Sequence, residues 1–185
     1  GTVNLYSREF YQLAAERLNK GGLMMQWLPL HLVGPDDAKS ILKTFQEVYP
    51  HTSIWNSFLT RIVLLVGSKE EIALDKIRFE ELMRIPEIQN SAQQIGINTF
   101  LDFTDFFLTD AAEVRSFVQS ADLITDDRPL LEFSPVTLLP PLKLEVDETF
   151  LNYLKYRIGN YPQVRGMMPS EKRRWEKDFR TRTAQ

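Results

Sequence analysis

Residues 18–37 read LNKGGLMMQWLPLHLVGPDD, and the fold turns on how this stretch is parsed. Asn19-Lys20-Gly21-Gly22 supplies a helix stop, with glycine available for a left-handed cap. Leu23 to Leu28 is a run of strand length, apolar on both faces but for Gln26, and such a run predicts a central strand covered on both sides. Gly34-Pro35-Asp36-Asp37 opens a helix, with proline in its first turn and acids at its positive end. The stretch is therefore helix end, strand, loop and helix start, with Gln26 at the ligand-facing end of the strand.

Upstream, Leu5, Tyr6, Phe10, Leu13, Ala14 and Leu18 share one face of a helix over residues 4–19. Downstream, Ala38, Ile41, Leu42, Phe45 and Val48 stripe a second helix that Pro50 stops. Thr52–Trp55 and Arg61–Val66 read as strands, the second ending at Gly67. The short gap between them holds no helix, so they form an antiparallel hairpin. From Glu70 the pattern is helical. Thr99–Leu108 is aromatic-rich, Asp110-Ala111-Ala112-Glu113 matches a capping box opening a helix to about Ser120, and Leu123–Phe133 reads as extended. Three segments follow: 1–68, half of an α/β sheet domain; 69–135, a helical subdomain with the Thr125-Asp126-Asp127-Arg128-Pro129 segment; and 136–185, a proline-marked linker and polar helical tail.

Composition narrows the function. Among 185 residues, 43% are hydrophobic and 25% charged, an ordinary globular balance. A net charge of −3 gives no global electrostatic case for nucleic acid. The lack of cysteine excludes disulfides, thiolate nucleophiles and cysteine-ligated metals, and fits a cytoplasmic chain. No apolar run approaches membrane-spanning length, and no signal-peptide pattern is visible.

The candidate site residues are polar groups in places where ligands bind. Ligands of open α/β sheets sit beyond the carboxyl ends of the strands, so Gln26 either holds an amine or a cofactor carboxylate or caps loop backbone. Trp27 reads as core, Tyr6 as packing, and His31 as a loop residue with no metal-site context. Asp126 and Asp127, adjacent in an extended segment, point to opposite faces. One of them would attract a cationic amine, or the pair with Arg128 organises a turn before Pro129. Lys172, Arg173, Arg174, Lys177, Arg180 and Arg182, interleaved with acids, read as a solvated helix face.

Three stretches carry a family likeness: Leu5-Tyr6-Ser7-Arg8-Glu9-Phe10-Tyr11, Gly21 to Leu28, and Phe45-Gln46-Glu47-Val48-Tyr49-Pro50-His51. They resemble the spermidine synthase family, most of all its bacterial members fused to membrane segments. Thr125 to Phe133 resembles a recurring segment of that subgroup. The likeness covers about residues 1–135 and implies the C-terminal half of a Rossmann-like methyltransferase fold, ending in an antiparallel hairpin and followed by a helical extension. It implies that the glycine-rich cofactor loop and the catalytic aspartates belong upstream of Gly1, so no catalytic residue is expected in this chain.

By the same likeness the full-length parent is an aminopropyltransferase, using decarboxylated S-adenosylmethionine or S-adenosylmethionine as co-substrate and no metal. Gln26, Asp126 and Asp127 would border the pocket for a small amine. The parent would be a cytoplasmic homo-oligomer, touching a membrane only through segments outside this chain and binding no nucleic acid. One departure bears on substrate: the family's tyrosine-proline-glycine loop is Asn56-Ser57-Phe58-Leu59-Thr60 here. A non-catalytic interaction module, or a methyltransferase for another small molecule, are the alternatives.

Overall fold

The computed structural model describes residues 3–59, 61–133 and 160–183. The linker and the start of the tail, 134–159, lie outside the described residues. The chain opens with a 3-10 turn, Val3–Tyr6, and helix α1, Arg8–Arg17, whose N-cap Ser7 accepts a hydrogen bond from the Phe10 N–H at 3.2 Å. Strand β1, Met24–Pro29, leads to helix α2, Pro35–Val48, then to strands β2, His51–Asn56, and β3, Ile62–Ser68. A two-residue strand β4, Leu74–Asp75, precedes helices α3, Lys76–Leu82, α4, Pro86–Gln94, and α5, Phe100–Thr104. Strand β5, Phe107–Thr109, and helix α6, Ala111–Phe117, follow. A 3-10 turn over Leu130–Phe133, strand β6, Val164–Arg165, and helix α7, Pro169–Thr183, complete the described elements.

The main sheet has the order β1-β3-β2-β5, and every neighbouring pair is antiparallel. The expected hairpin is β2–β3, with Thr52 opposite Gly67 and Asn56 opposite Val63. Because β1 and β2 are each antiparallel to β3, they run parallel to one another with β3 between them, joined by the α2 crossover. The chain is thus of the α/β class.

Alternation along the strands splits the apolar residues between two faces. Leu28, Ile54, Val63 and Leu65 face a core shared with Tyr11, Ile41, Phe45 and Tyr49 of α1, α2 and the turn after it. Gly67 is needed where α2 meets β3: a Cβ there would lie 2.5 Å from Phe45 Cε1 and 2.7 Å from Tyr49 Cβ. The glycine therefore sits inside β3 instead of ending it. Trp55, Val66 and Phe107 face the other way, into an aromatic cluster with Phe100 and with Trp175 and Phe179 of α7. The basic tail helix docks by these two aromatics. Trp175 Nε1 donates to Thr104 Oγ1 at 3.1 Å, and Arg182 reaches Asp102 at 2.8 Å and also Asp105.

Four local expectations change. β1 is an edge strand among the described residues, with only one face covered. Met25 and Trp27 are 59% and 57% exposed, so Trp27 is not core. A continuous apolar run encodes two apolar faces but does not say that both are buried. The glycine pair does not cap α1, which ends at Arg17 with Leu18 in extended conformation. Gly21 instead takes φ 71° in a turn closed by the Gly22 N–H on the Asn19 carbonyl at 2.8 Å. The reciprocal capping box is Thr99/Asp102, which breaks the aromatic-rich stretch into α5 and β5, while Asp110 caps α6 by accepting from Ala112 and Glu113. Finally, Leu123–Phe133 is not extended. Thr125 and Arg128 bond each other's backbone at 3.4 and 3.0 Å in a four-residue turn that leads into the 3-10 turn.

Candidate functional site

The segment Leu5–Glu9, where the first turn passes into α1, gathers the polar groups singled out in the sequence. Ser7 fixes this junction by capping α1. Gln26 sits third in the six residues of β1, not at its end, because pairing with β3 continues through Trp27, Leu28 and Pro29. Its side chain lies on the face toward α1 and donates from Nε2 to the Leu5 carbonyl at 3.3 Å. The amide is thus held by backbone through its donor. Gln26 Oε1 stays buried with no hydrogen-bond partner, and so do Tyr11 Oη and Arg8 Nε.

Tyr11 is fully buried. Burial, with smaller contributions from Tyr6 and Tyr49, pushes its phenol well above the ordinary value, which the neighbouring Gln26 amide partly offsets. The phenol is therefore a neutral hydroxyl, able to donate as well as accept. The half-buried Tyr6 is likewise raised by burial and packs on the core. Orphaned polar atoms in a packed interior are uncommon and call for an explanation.

The Asp126-Asp127 turn arrives at the same segment from far along the chain. Lys43 of α2 donates to the carbonyls of Gln119 and Ala121 at 3.3 and 2.6 Å, and Thr44 Oγ1 accepts from the Ile124 N–H at 2.9 Å. The Arg8 N–H donates to the Ile124 carbonyl at 2.9 Å, and the Asp126 N–H donates to Glu9 Oε2 at 3.0 Å. Desolvation pushes Glu9 up, but backbone N–H groups, including that of Asp126, and the Arg8 guanidinium outweigh it and hold the carboxyl below its ordinary value. Asp126 and Asp127 are exposed, and Arg128 pairs with Asp122 at 3.2 Å.

The structure therefore ties Gln26 and Asp126 to two ends of one five-residue segment, with Asp127 in the turn beside Asp126. Glu9, Arg8 and Tyr11 were not singled out as site residues. The signal available was a tyrosine hydroxyl and a charged pair inside the first turns of a helix otherwise read by its apolar stripe. His31 lies in the loop after β1, with Nδ1 buried and unpartnered. Among the described residues no three His, Asp or Glu side chains gather as a metal site would, and no helix is long and apolar enough to cross a membrane. The β1–α2 turn carries a single glycine, Gly34, so its residues do not fit an adenosyl cradle.

A second feature lies on the opposite face of the sheet. An apolar groove of about 420 Å³ runs over β1 and β3 beside the aromatic cluster, lined by Met25, Trp27, Leu64, Phe106 and the β2–β3 loop residues Phe58 and Leu59. No protein-family model, curated protein or solved structure matches this chain.

Proposed function

We propose that this chain is the acceptor-side, C-terminal portion of a spermidine synthase-like transferase, which in its full-length parent moves an aminopropyl group from decarboxylated S-adenosylmethionine to an amine. The observation that supports it most is that Gln26 bonds the Leu5 carbonyl and the Asp126-Asp127 turn bonds Glu9, at the two ends of residues 5–9, in segments that carry the family likeness. An antiparallel β3 set between two mutually parallel strands suits the closing hairpin of a methyltransferase-like sheet, with β1's free edge left for the remaining strands.

On this reading the chain supplies the amine's side of the reaction. Gln26 borders the amine's pocket, and Asp126 and Asp127 draw a cationic substrate toward it. Transfer also needs a base and an aimed approach to the reacting carbon. The base and the adenosyl site lie outside this chain, so the chain alone is inactive. Calorimetry of the full-length parent against decarboxylated S-adenosylmethionine and S-adenosylmethionine tests the reading. Binding of the decarboxylated form is expected. Binding of S-adenosylmethionine alone points to a methyltransferase, and binding of neither sinks the transferase. A non-catalytic module is the second reading, favoured by the apolar β2–β3 loop that replaces the family's amine-contacting loop.

A further inference from the structure

We infer that the outward face of α7 is a docking site for a surface of anionic lipid headgroups. The inference goes beyond the transferase reading and does not rest on it, since α7 packs on the side of the sheet opposite Gln26 and Tyr11. In sequence the helix Pro169–Thr183 looks mixed, with six cations and three acids. The fold separates them. Every charged side chain of α7 that stands exposed is a cation, while Glu171, Glu176 and Asp178 are all partly buried. Glu171 turns in to Lys76 of α3 at 2.8 Å, and Arg182 turns in to Asp102. Arg180 lies over the Tyr161 ring, 5.1 Å from its centroid. Lys172, Arg173 and Lys177 make no ion pair among the described residues, and Arg174, 86% exposed, reaches Asp178 only at 3.9 Å.

Uncommitted cations on a helix are an ordinary solvated face unless the chain's charge is uneven, and here it is. Six cations less three acids give α7 a charge of +3 in a chain of −3, which leaves −6 on all other residues. A partner must therefore be anionic and must meet the helix without running over an acidic body. A planar surface does so, whereas an extended polyanion does not. The face also has nothing to stack on a base or read its edge: from Lys172 to Arg182 the only exposed residue without charge is Thr181. Met168, just before α7, points to lipid as well. It is 70% exposed, more than any other large apolar side chain among the described residues, and its carbonyl accepts from the Lys172 N–H at 2.9 Å. Charge draws such a helix to headgroups, and an apolar side chain beside it enters the acyl boundary. The face is also preformed, because Trp175 and Phe179 hold the helix on the aromatic cluster, so docking orders no new helix.

Flotation of the full 185-residue chain with vesicles of phosphatidylcholine, alone or mixed in equal parts with phosphatidylglycerol, tests this. The chain is expected on the mixed vesicles, absent from pure phosphatidylcholine, and released as added salt screens exposed charge. Each cation removed weakens binding by about fivefold, so Arg173→Gln with Lys177→Gln weakens it by about 25-fold. Met168→Ser weakens it with the charge unchanged. Lys20→Gln with Lys69→Gln, exposed cations elsewhere, removes the same charge and leaves binding intact. Far-ultraviolet circular dichroism checks that each variant is folded, and Lys172→Gln with Arg174→Gln replaces the α7 pair if that variant is not. A chain that ignores the mixed vesicles overturns the inference. So does an equal loss in the α7 and control variants, or tighter binding to a labelled DNA or RNA duplex than to the vesicles at the same salt.

Discussion

The two faces of the central sheet are built from the same strands and have different fates. On the inner face, Leu28, Ile54, Val63 and Leu65 disappear beneath α1 and α2, and the tyrosines and phenylalanine above them meet edge-on and tilted at 4.9–6.3 Å between ring centroids. On the outer face, α5 and α7 cover β2 and β5 with an aromatic cluster, while β1 and the adjoining part of β3 remain open. Residues one position apart, Leu28 and Trp27, are 0% and 57% exposed. Hydrophobicity alone therefore does not define the core. A covering element must exist, and α1 and α2 supply it on one side only.

That contrast is most easily broken by truncation. Leu65→Ala on the inner face should cost about 2–5 kcal/mol in urea unfolding, because the cavity cannot collapse. Trp27→Ala on the outer face should stay within about 0.5 kcal/mol. Equal losses would mean that the outer face is covered as well. Gly67→Ala should cost about 1–3 kcal/mol, since its methyl would strike Phe45 and the Cβ of Tyr49. Full stability in that variant would show that α2 is free to lift.

The covered half of the outer face rests on fewer contacts. Thr104→Val strands the buried Trp175 N–H and should cost about 1–3 kcal/mol, with the loss of amide-exchange protection concentrated in α7. Acid should loosen the same helix. Burial pushes Asp102 up, but the bonds from Arg182 and from Thr99 prevail and leave its folded value below the ordinary one. A depressed carboxyl stabilises above its unfolded value, about 3.9, and the gain disappears as pH falls through the lower folded value. Protection in α7 should therefore drop as pH falls below about 4, more than protection in α2. Unchanged relative protection would remove the Arg182 latch from the account. The smallest effect is expected at Tyr11→Phe. Its hydroxyl lies against the Gln26 amide without a well-formed hydrogen bond, so stability should change by less than about 0.5 kcal/mol. A clear loss would reveal that the Tyr11 hydroxyl donates to Gln26 Oε1.

The order of elements through β3 was legible because each is local: a stripe, a proline stop, a glycine turn. The hairpin followed from a gap too short for a helix. Burial of β1 was not legible, since Leu23 to Leu28 announces apolar character on both sides and nothing in the run says which side finds a cover. The site was half legible. Gln26 and the two aspartates stand out as polar residues in their settings, but the bond from Asp126 to Glu9 spans 117 positions. No periodicity connects them. Clamps such as Lys43 on the Gln119 and Ala121 carbonyls are decided by packing, and the same lysine reads in sequence as helix surface.

Of the chain's three tryptophans, Trp55 and Trp175 are buried within the outer-face cluster and Trp27 stands alone in solvent. The molecule thus carries its own optical indicator of that face. Trp27 should emit at longer wavelength than the other two and be the one a soluble quencher reaches first. Any event that covers the groove would shift the emission blue and shield it, whereas unfolding would expose all three to the quencher at once.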